Sequence, residues 1–200
     1  MPDIDLVIQK LCGAGARAIR RYAEVSGESP DDLPEYLMPA LILDNIGEDF
    51  AVSLETQVST LIERNDYIRK RRGISPPSPE DQTRLHTIAQ ALRRQLVDVV
   101  LYQVDGLDHP RNRLDFLALV EIKKGCVWPA DRSKLLSILP LVDTCPYGIA
   151  CGSVRSENLE WNKSEAERTN DRWYQAAMQP IRDERSYFFC ARLFKGSATL

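Results

Sequence analysis

The sequence predicts an α/β or α+β fold, a mixed sheet with helices on its faces. Two observations indicate this class. Segments with a helical period alternate with β-rich segments in the order αα-β-α-ββ-α-β-α-β. In addition, 44% hydrophobic and 28% charged residues in a chain of 200 residues are typical of a globular protein with a substantial core. We therefore expect one α/β domain over residues 1–200.

The N-terminal half is predicted to contain three helices and one strand. These are a helix over residues 4–25, a helix over 35–46, a strand over 50–62 and a helix over 79–94. The first helix belongs to an N-terminal extension, residues 1–30. The second can be capped by Asp31 or Asp32, Pro34 suits its first turn, and Gly47 ends it.

The C-terminal half is predicted to be richer in strands. The expected elements are strands over 95–103 and 114–123, a helix over 131–143, a strand over 146–154, a helix over 170–183 and a strand over 186–194. The first two strands are joined by residues 104–113, which contain Gly, Pro, Asn and Asp. Because these residues favour turns, we expect the two strands to form a hairpin.

Charge is distributed unevenly along the chain. Residues 1–63 carry 4 basic and 12 acidic side chains, residues 64–94 carry 8 and 3, and the remainder carries 14 of each. The net charge of -3 argues against a protein that coats nucleic acid non-specifically, since Lys and Arg supply most of that affinity. The basic run over 69–72 is interpreted as a solvated loop, with a local phosphate contact as the alternative.

Five cysteines form no C-x-x-C pair, so we expect them to be reduced and mostly buried. A zinc site is not expected, because His86 and His109 are the only histidines and have no ligand-like spacing. No apolar run approaches the roughly 18 residues that span a bilayer. The N-terminal residues also lack the pattern of a secretion signal, and we expect a cytoplasmic protein.

A charged triplet ends the apolar strand predicted over 114–123. Residues two apart in a strand share a face, so Glu121 and Lys123 should project side by side while Ile122 points into the opposite layer. Asp98 lies inside the preceding apolar strand, where an unpaired carboxylate would be costly. Antiparallel pairing can set Asp98 beside Glu121, and a divalent cation is the usual remedy for two adjacent carboxylates.

These groups suit Mg²⁺, which prefers oxygen ligands and often uses one or two carboxylates, a backbone carbonyl and water. Asp98, Glu121 and the carbonyl of Ile122 could supply such a set, and Mn²⁺ is expected to substitute for Mg²⁺. Lys123 could orient or help deprotonate an attacking water and stabilise charge in the transition state. The pattern therefore predicts phosphodiester hydrolysis.

The residues, in this order, resemble the PD-(D/E)XK, or restriction-endonuclease-like, nuclease superfamily. The resemblance covers residues 33–154 and implies the αβββαβ core of that fold, with a helical insertion over about 64–94. Residues 155–200 then form an additional helix and strand. Val97 stands where the proline that names the motif would be.

The resemblance implies a role for each site residue. Asp98 and Glu121 take the positions of the metal-binding acids and Lys123 that of the catalytic lysine. Glu35 is the candidate for the glutamate that many members carry on the first core helix, with Glu48 and Glu55 as alternatives. Apart from the resemblance, Lys124 and Lys134 are candidates for contacts to substrate phosphates, with solvated surface lysines as the alternative. The expected partner is DNA, bound by a homodimer or a larger assembly.

Two alternatives remain open at this point. The same fold could serve as a non-catalytic or partner-dependent module, for example in a mobile-element or defence system. The chain could also be an unrelated α/β binding protein in which the charged residues form ion pairs. That last hypothesis predicts that Asp98 and Glu121 lie far apart.

Overall fold

The computed structural model describes residues 3–28, 33–46, 50–103, 114–124, 128–181 and 184–194. The helices are α1 (Ile4–Ser26), α2 (Met38–Ile46), α3 (Val58–Arg72), α4 (Pro79–Leu92), α5 (Trp128–Ile138) and α6 (Ser156–Arg168). The strands are β1 (Phe50–Gln57), β2 (Leu96–Gln103), β3 (Asp115–Lys124), β4 (Tyr147–Arg155), β5 (Arg172–Ile181) and β6 (Glu184–Arg192). A 3-10 turn, Glu35–Leu37, precedes α2, and another, Leu139–Val142, follows α5. The predicted α/β class is confirmed.

The strands form one mixed sheet in the order β1-β2-β3-β4-β6-β5. The β3–β4 pair is parallel and the other neighbouring pairs are antiparallel. A parallel pair needs a crossover, which α5 supplies between β3 and β4. The carboxyl ends of β3 and β4 therefore meet the amino end of β2 at one end of the sheet.

Two apolar cores lie on opposite faces of the sheet. The first lies beneath α1 and α2, and the second lies beneath α3, α4, α5 and α6. Strand β3 contributes to both, with Val120 and Ile122 in the first core and Leu119 in the second. This alternation is the two-residue period of a strand that is buried on both faces.

Local signals set several of the helix ends. Asp3 caps α1 by accepting a hydrogen bond from a backbone N–H, and Gly27 follows the helix at φ 70, where a left-handed conformation favours glycine. The Ser78 hydroxyl accepts the Asp81 N–H at 3.1 Å, and Pro79 occupies the first turn of α4. The predicted caps Asp31 and Asp32, the stop at Gly47 and the turn over 104–113 lie outside the described residues.

The strand predicted over 50–62 is too long, because it ends at Gln57 and α3 begins at Val58. Residues 58, 61, 65 and 68 are buried, which is helical spacing. The third of them is Asn65, whose side chain binds Asp143 and Thr144. Because Asn65 is polar, the apolar residues of this segment do not show a complete helical period in the sequence. The helical segment predicted over 64–94 consequently begins earlier, as α3 and α4 between β1 and β2.

The helix predicted over 170–183 is wrong, because this segment forms β5 and pairs with β6. The helix lies earlier, as α6, where Leu159 and Ala166 are buried but Asn162 between them is polar. Pairing with β6 decides the conformation of β5, since strand propensity depends on context. The C-terminal segment is thus one helix and two strands instead of one helix and one strand.

The helix predicted over 35–46 also differs, since it opens as a 3-10 turn.

The basic run over 69–72 is the last turn of α3 and not a loop. Cations are favourable at this position, near the carboxyl end of the helix dipole. Arg69 pairs with Asp143, while Arg71 and Arg72 both pair with Asp115 at the start of β3. Three of the four cations therefore have carboxylate partners.

Four cysteines, at positions 12, 145, 151 and 190, are free and buried, as predicted. Cys126 and His109 lie outside the described residues. Within the parts of the chain that the structure describes, none of the helices has the length and apolar character needed to cross a membrane.

We predict opposite effects for two glycine substitutions in α1. A Cβ at Gly15 would lie 2.3 Å from the buried Phe188 ring, so Gly15→Ala should lower the free energy of unfolding by about 1–3 kcal/mol. Gly13→Ala is the control, because its nearest neighbour is the flexible end of Arg17 at 3.3 Å, and helix propensity should raise stability by about 1 kcal/mol or less. Urea denaturation measures both. Equal stability of Gly15→Ala and wild type would contradict this packing.

Candidate active site

The β2–β3 hairpin brings Asp98 and Glu121 together. Val99 pairs with Val120 in the antiparallel register, which sets Asp98 opposite Glu121 at the end of the sheet where β2 begins and β3 ends. The Asp98 Oδ2 accepts the backbone N–H of Ile122 at 2.7 Å. This bond fixes the carboxylate beside β3. The predicted juxtaposition is present, and the prediction that the two acids lie far apart is wrong.

The side chains of Glu121 and Ile122 point to opposite faces of the sheet, as the strand period predicts. Ile122 lies in the core beneath α1 and α2. Glu121 points to the opposite face, where its Oε2 lies 2.7 Å from the Nζ of Lys134 on α5. The Nζ of Lys123 lies 2.8 Å from the Oε1 of Glu35. The 3-10 turn before α2 therefore reaches the end of β3.

The Glu121 carboxylate is the most unusual group of the site. Its side chain is 0% exposed, and its Oε1 has no hydrogen-bond partner among the described residues. Burial, followed by the charge of Asp98, raises its pKa from 4.5 to about 7, although Lys134 and Lys123 oppose this shift. The chain thus holds a buried carboxylate oxygen that nothing in the described protein satisfies.

Lys123 carries a positive charge at neutral pH. Burial alone would lower its pKa, but the hydrogen bond to Glu35 and the charges of Asp98, Glu35 and Asp131 outweigh burial and raise the pKa overall. The side chain is 29% exposed, so the ammonium group can be reached from solvent. Its state suits a group that stabilises negative charge rather than one that accepts a proton.

Asp131 joins the site from the first turn of α5 and was missed in the sequence. It is 8% exposed, and burial raises its pKa while the charges of Lys123 and Lys134 oppose the rise. The available signal was its spacing from Lys134, since residues three apart on a helix share a face. The spacing alone does not place Asp131 in the site, because that placement depends on α5 packing on the side of the sheet to which Glu121 points.

The arrangement is rich in negative charge. It contains four carboxylates and two ammonium groups, namely Glu35, Asp98, Glu121, Asp131, Lys123 and Lys134. A divalent cation would offset this excess, and the unsatisfied Oε1 of Glu121 beside Asp98 offers hard oxygen donors. No group of three or more His, Cys, Asp or Glu side chains within the described ranges has a metal-holding geometry. Two acids would leave water and substrate to supply the other ligands of such a cation.

The other residues that the sequence predicts for the site lie at different positions in the fold. Glu55 is exposed on β1, has a φ of 45 and lies between the residues that pair with Val99 and Val97. It is Glu35, and not Glu55, that contacts Lys123. Glu48 and the side chain of Lys124 lie outside the described residues. Lys134 pairs with Glu121. Its contact with phosphate and the carbonyl role of Ile122 remain predictions.

Comparison with known proteins gives no family for this chain. No protein-family model, no curated protein and no solved structure matches it. Function must therefore be inferred from the geometry and chemistry of the site.

The pKa of Glu121 predicts a specific dependence of stability on pH. Its folded value of about 7 lies above the ordinary 4.5, so the folded state holds this proton more tightly than the unfolded chain does. Stability from this group is complete below about pH 4.5 and is lost as the pH rises through about 7. Relative to Glu121→Gln, which does not titrate, the wild type should lose on the order of 2 kcal/mol between about pH 5 and pH 8.

Urea denaturation of both proteins at a series of pH values tests this expectation. Taking the difference between the two curves cancels the other titrating groups, which the two proteins share. A difference that stays constant with pH would show that Glu121 does not titrate abnormally.

Proposed function

We propose that the chain is a metal-dependent nuclease that hydrolyses phosphodiester bonds in DNA, with a core of the PD-(D/E)XK type. One observation carries the proposal. The buried, unsatisfied Oε1 of Glu121 lies across the β2–β3 pair from Asp98, and Lys123 follows two residues later on the same strand. An acid pair with an adjacent ammonium group is suited to a divalent cation and a phosphate.

The order of elements supports the same proposal. The 3-10 turn with α2, then β1, β2, β3, α5 and β4, follows the αβββαβ succession that the resemblance implies. The α3–α4 pair is then an insertion between the first two core strands, and α1, α6, β5 and β6 are additions. The proposed site lies where the middle strands of this core meet.

In the proposed mechanism, Asp98 and Glu121 would hold Mg²⁺, with the carbonyl of Ile122 as an additional oxygen ligand. The ion would supply positive charge against the phosphate and would make a nearby water more acidic. The Lys123 ammonium orients that water and stabilises the negative charge that develops on the phosphate oxygens. Its raised pKa argues that it acts by its charge and not as a base.

Two further residues position the reacting groups in this proposal. Glu35 holds the Lys123 ammonium at 2.8 Å, which limits the orientations available to that flexible side chain. Lys134 holds the other oxygen of Glu121 at 2.7 Å, so that Oε1 stays free for the cation. Lys124 is proposed to contact the DNA backbone.

A non-catalytic or partner-dependent module on the same fold is the second candidate. One observation favours it: Glu121 with Lys134, and Glu35 with Lys123, already form two ion pairs. A site neutralised in this way would bind metal weakly until DNA, a second copy or another protein completed it. A wild-type protein that binds no divalent metal and cuts no DNA would favour this module over the nuclease.

Metal binding tests the acid pair directly. Isothermal titration with Mn²⁺ should show one binding event in the wild type, because Asp98 and Glu121 share one cation. The event should disappear in both Asp98→Ala and Glu121→Ala. Glu63→Gln, which removes an exposed carboxylate from α3, is the control and should bind as the wild type does. Retained binding in either alanine variant would separate the two acids into different sites.

Cleavage of plasmid DNA in Mn²⁺ tests the chemistry. Asp98→Ala and Lys123→Ala should each lower the rate roughly 100-fold or more, because each removes charge stabilisation from the transition state. Glu55→Gln should retain the wild-type rate, since Glu35 is the acid that contacts Lys123. Circular dichroism checks that each variant is folded. Equal rates in wild type and Lys123→Ala would contradict the proposed mechanism.

A further inference from the structure

An exposed aromatic ring lies next to the proposed site. Tyr36 follows Glu35 in the 3-10 turn, and its side chain is 73% exposed. Glu35 contacts Lys123, whereas Leu33 and Met38 on either side of the turn are each 1% exposed. The turn is thus anchored at both ends while the ring of Tyr36 remains in solvent. A rigidly supported, exposed aromatic ring is a suitable binding surface for another planar group.

The charges near the site do not favour a duplex held by its phosphates. The site itself has more carboxylates than ammonium groups. The basic run at the end of α3 pairs with Asp115, which lies six positions before Glu121 on β3, or about 20 Å along a strand. Those arginines are therefore too far away to neutralise phosphates that flank the site.

A second exposed apolar side chain lies near the site in the chain. Leu96 is 40% exposed and opens β2, two positions before Asp98. Tyr36 and Leu96 are thus exposed apolar side chains that lie close in sequence to Glu35 and Asp98. Such a combination favours contact with the faces of nucleobases over contact with phosphates alone.

We propose that Tyr36 is a stacking platform for an unpaired base of single-stranded DNA whose phosphate occupies the site. The inference rests on the proposed function and names its substrate class. Bases in a duplex are stacked on one another and do not offer a free face, whereas an unpaired base can lie on the tyrosine ring. The ring and not the hydroxyl makes this contact, so phenylalanine should replace tyrosine.

Fluorescence anisotropy of the full chain tests the proposal without relying on cleavage. The probes are a fluorescein-labelled single strand of about 20 nucleotides and the same strand in a duplex, both in Ca²⁺. The wild type should prefer the single strand. Tyr36→Ala should weaken single-strand binding about tenfold and leave duplex binding unchanged, and Tyr36→Phe should stay within about twofold of the wild type.

Tyr67→Ala is the matched control. Tyr67 is 44% exposed on α3, beside Arg64, whose side chain donates to the carbonyl of Leu114 just before β3 begins. It therefore lies towards the opposite end of the sheet from the site. Its removal should leave single-strand affinity within about twofold of the wild type.

Three results would each overturn the inference: single-strand affinity unchanged in Tyr36→Ala, an equal loss in Tyr36→Phe, or a wild type that prefers the duplex. Cleavage assays in Mn²⁺ on the same strands separate this failure from that of the proposed function. If the wild type cuts and Asp98→Ala does not, but Tyr36→Ala binds normally, only the stacking inference fails. If wild type and Asp98→Ala cut equally, the nuclease proposal fails while anisotropy still decides the role of Tyr36.

Discussion

The complete burial of one carboxylate, that of Glu121, is the constraint on which the site depends. Glu121 lies on β3, near the middle of the sheet, and α5 covers the face to which it points. Lys134 compensates one of its oxygens, while the other has no partner among the described residues and Asp98 adds a second negative charge. Burying an incompletely paired charge costs stability, and a well-packed apolar side chain would avoid that cost. A residue that lowers stability where another residue would raise it is typical of a functional site.

The topology of the sheet determines how these groups meet. The antiparallel hairpin sets the start of β2 against the end of β3, and the parallel β3–β4 pair brings the end of β4 to the same place. Close approach of the two parallel strands requires glycine at position 152, because a Cβ there would lie 2.4 Å from the carbonyl oxygen of Lys123. The backbone that carries Lys123 is therefore held from both sides, by the bond between Asp98 and the Ile122 N–H and by the contact with Gly152.

The centre of the site could be predicted from the sequence because its determinants are local. The two-residue period of β3 assigns Glu121 and Lys123 to one face, and a hairpin partner for Asp98 follows from the turn residues between the strands. Asp131 could not be predicted in this way, since its role depends on how α5 packs against β3. The wrongly predicted helices and strands also depend on tertiary packing. Asn65 in α3 and Asn162 in α6 are polar residues within buried stripes, so the apolar pattern of each helix is interrupted. The segment of β5 is a strand because it pairs with β6.

The charges of the site bear on the order in which ligands would enter it. A phosphate arriving alone would meet Asp98, Glu121, Glu35 and Asp131, against which Lys123 and Lys134 offer positive charge within the described part of the site. Both ammonium groups are already held by carboxylates, at 2.8 Å from Glu35 and 2.7 Å from Glu121. Under the proposed function, a divalent cation must therefore enter before the phosphate or together with it, since the cation converts repulsion by the acids into attraction. The two ion pairs then keep the lysines in place without occupying the buried Oε1 of Glu121, which has no partner among the described residues.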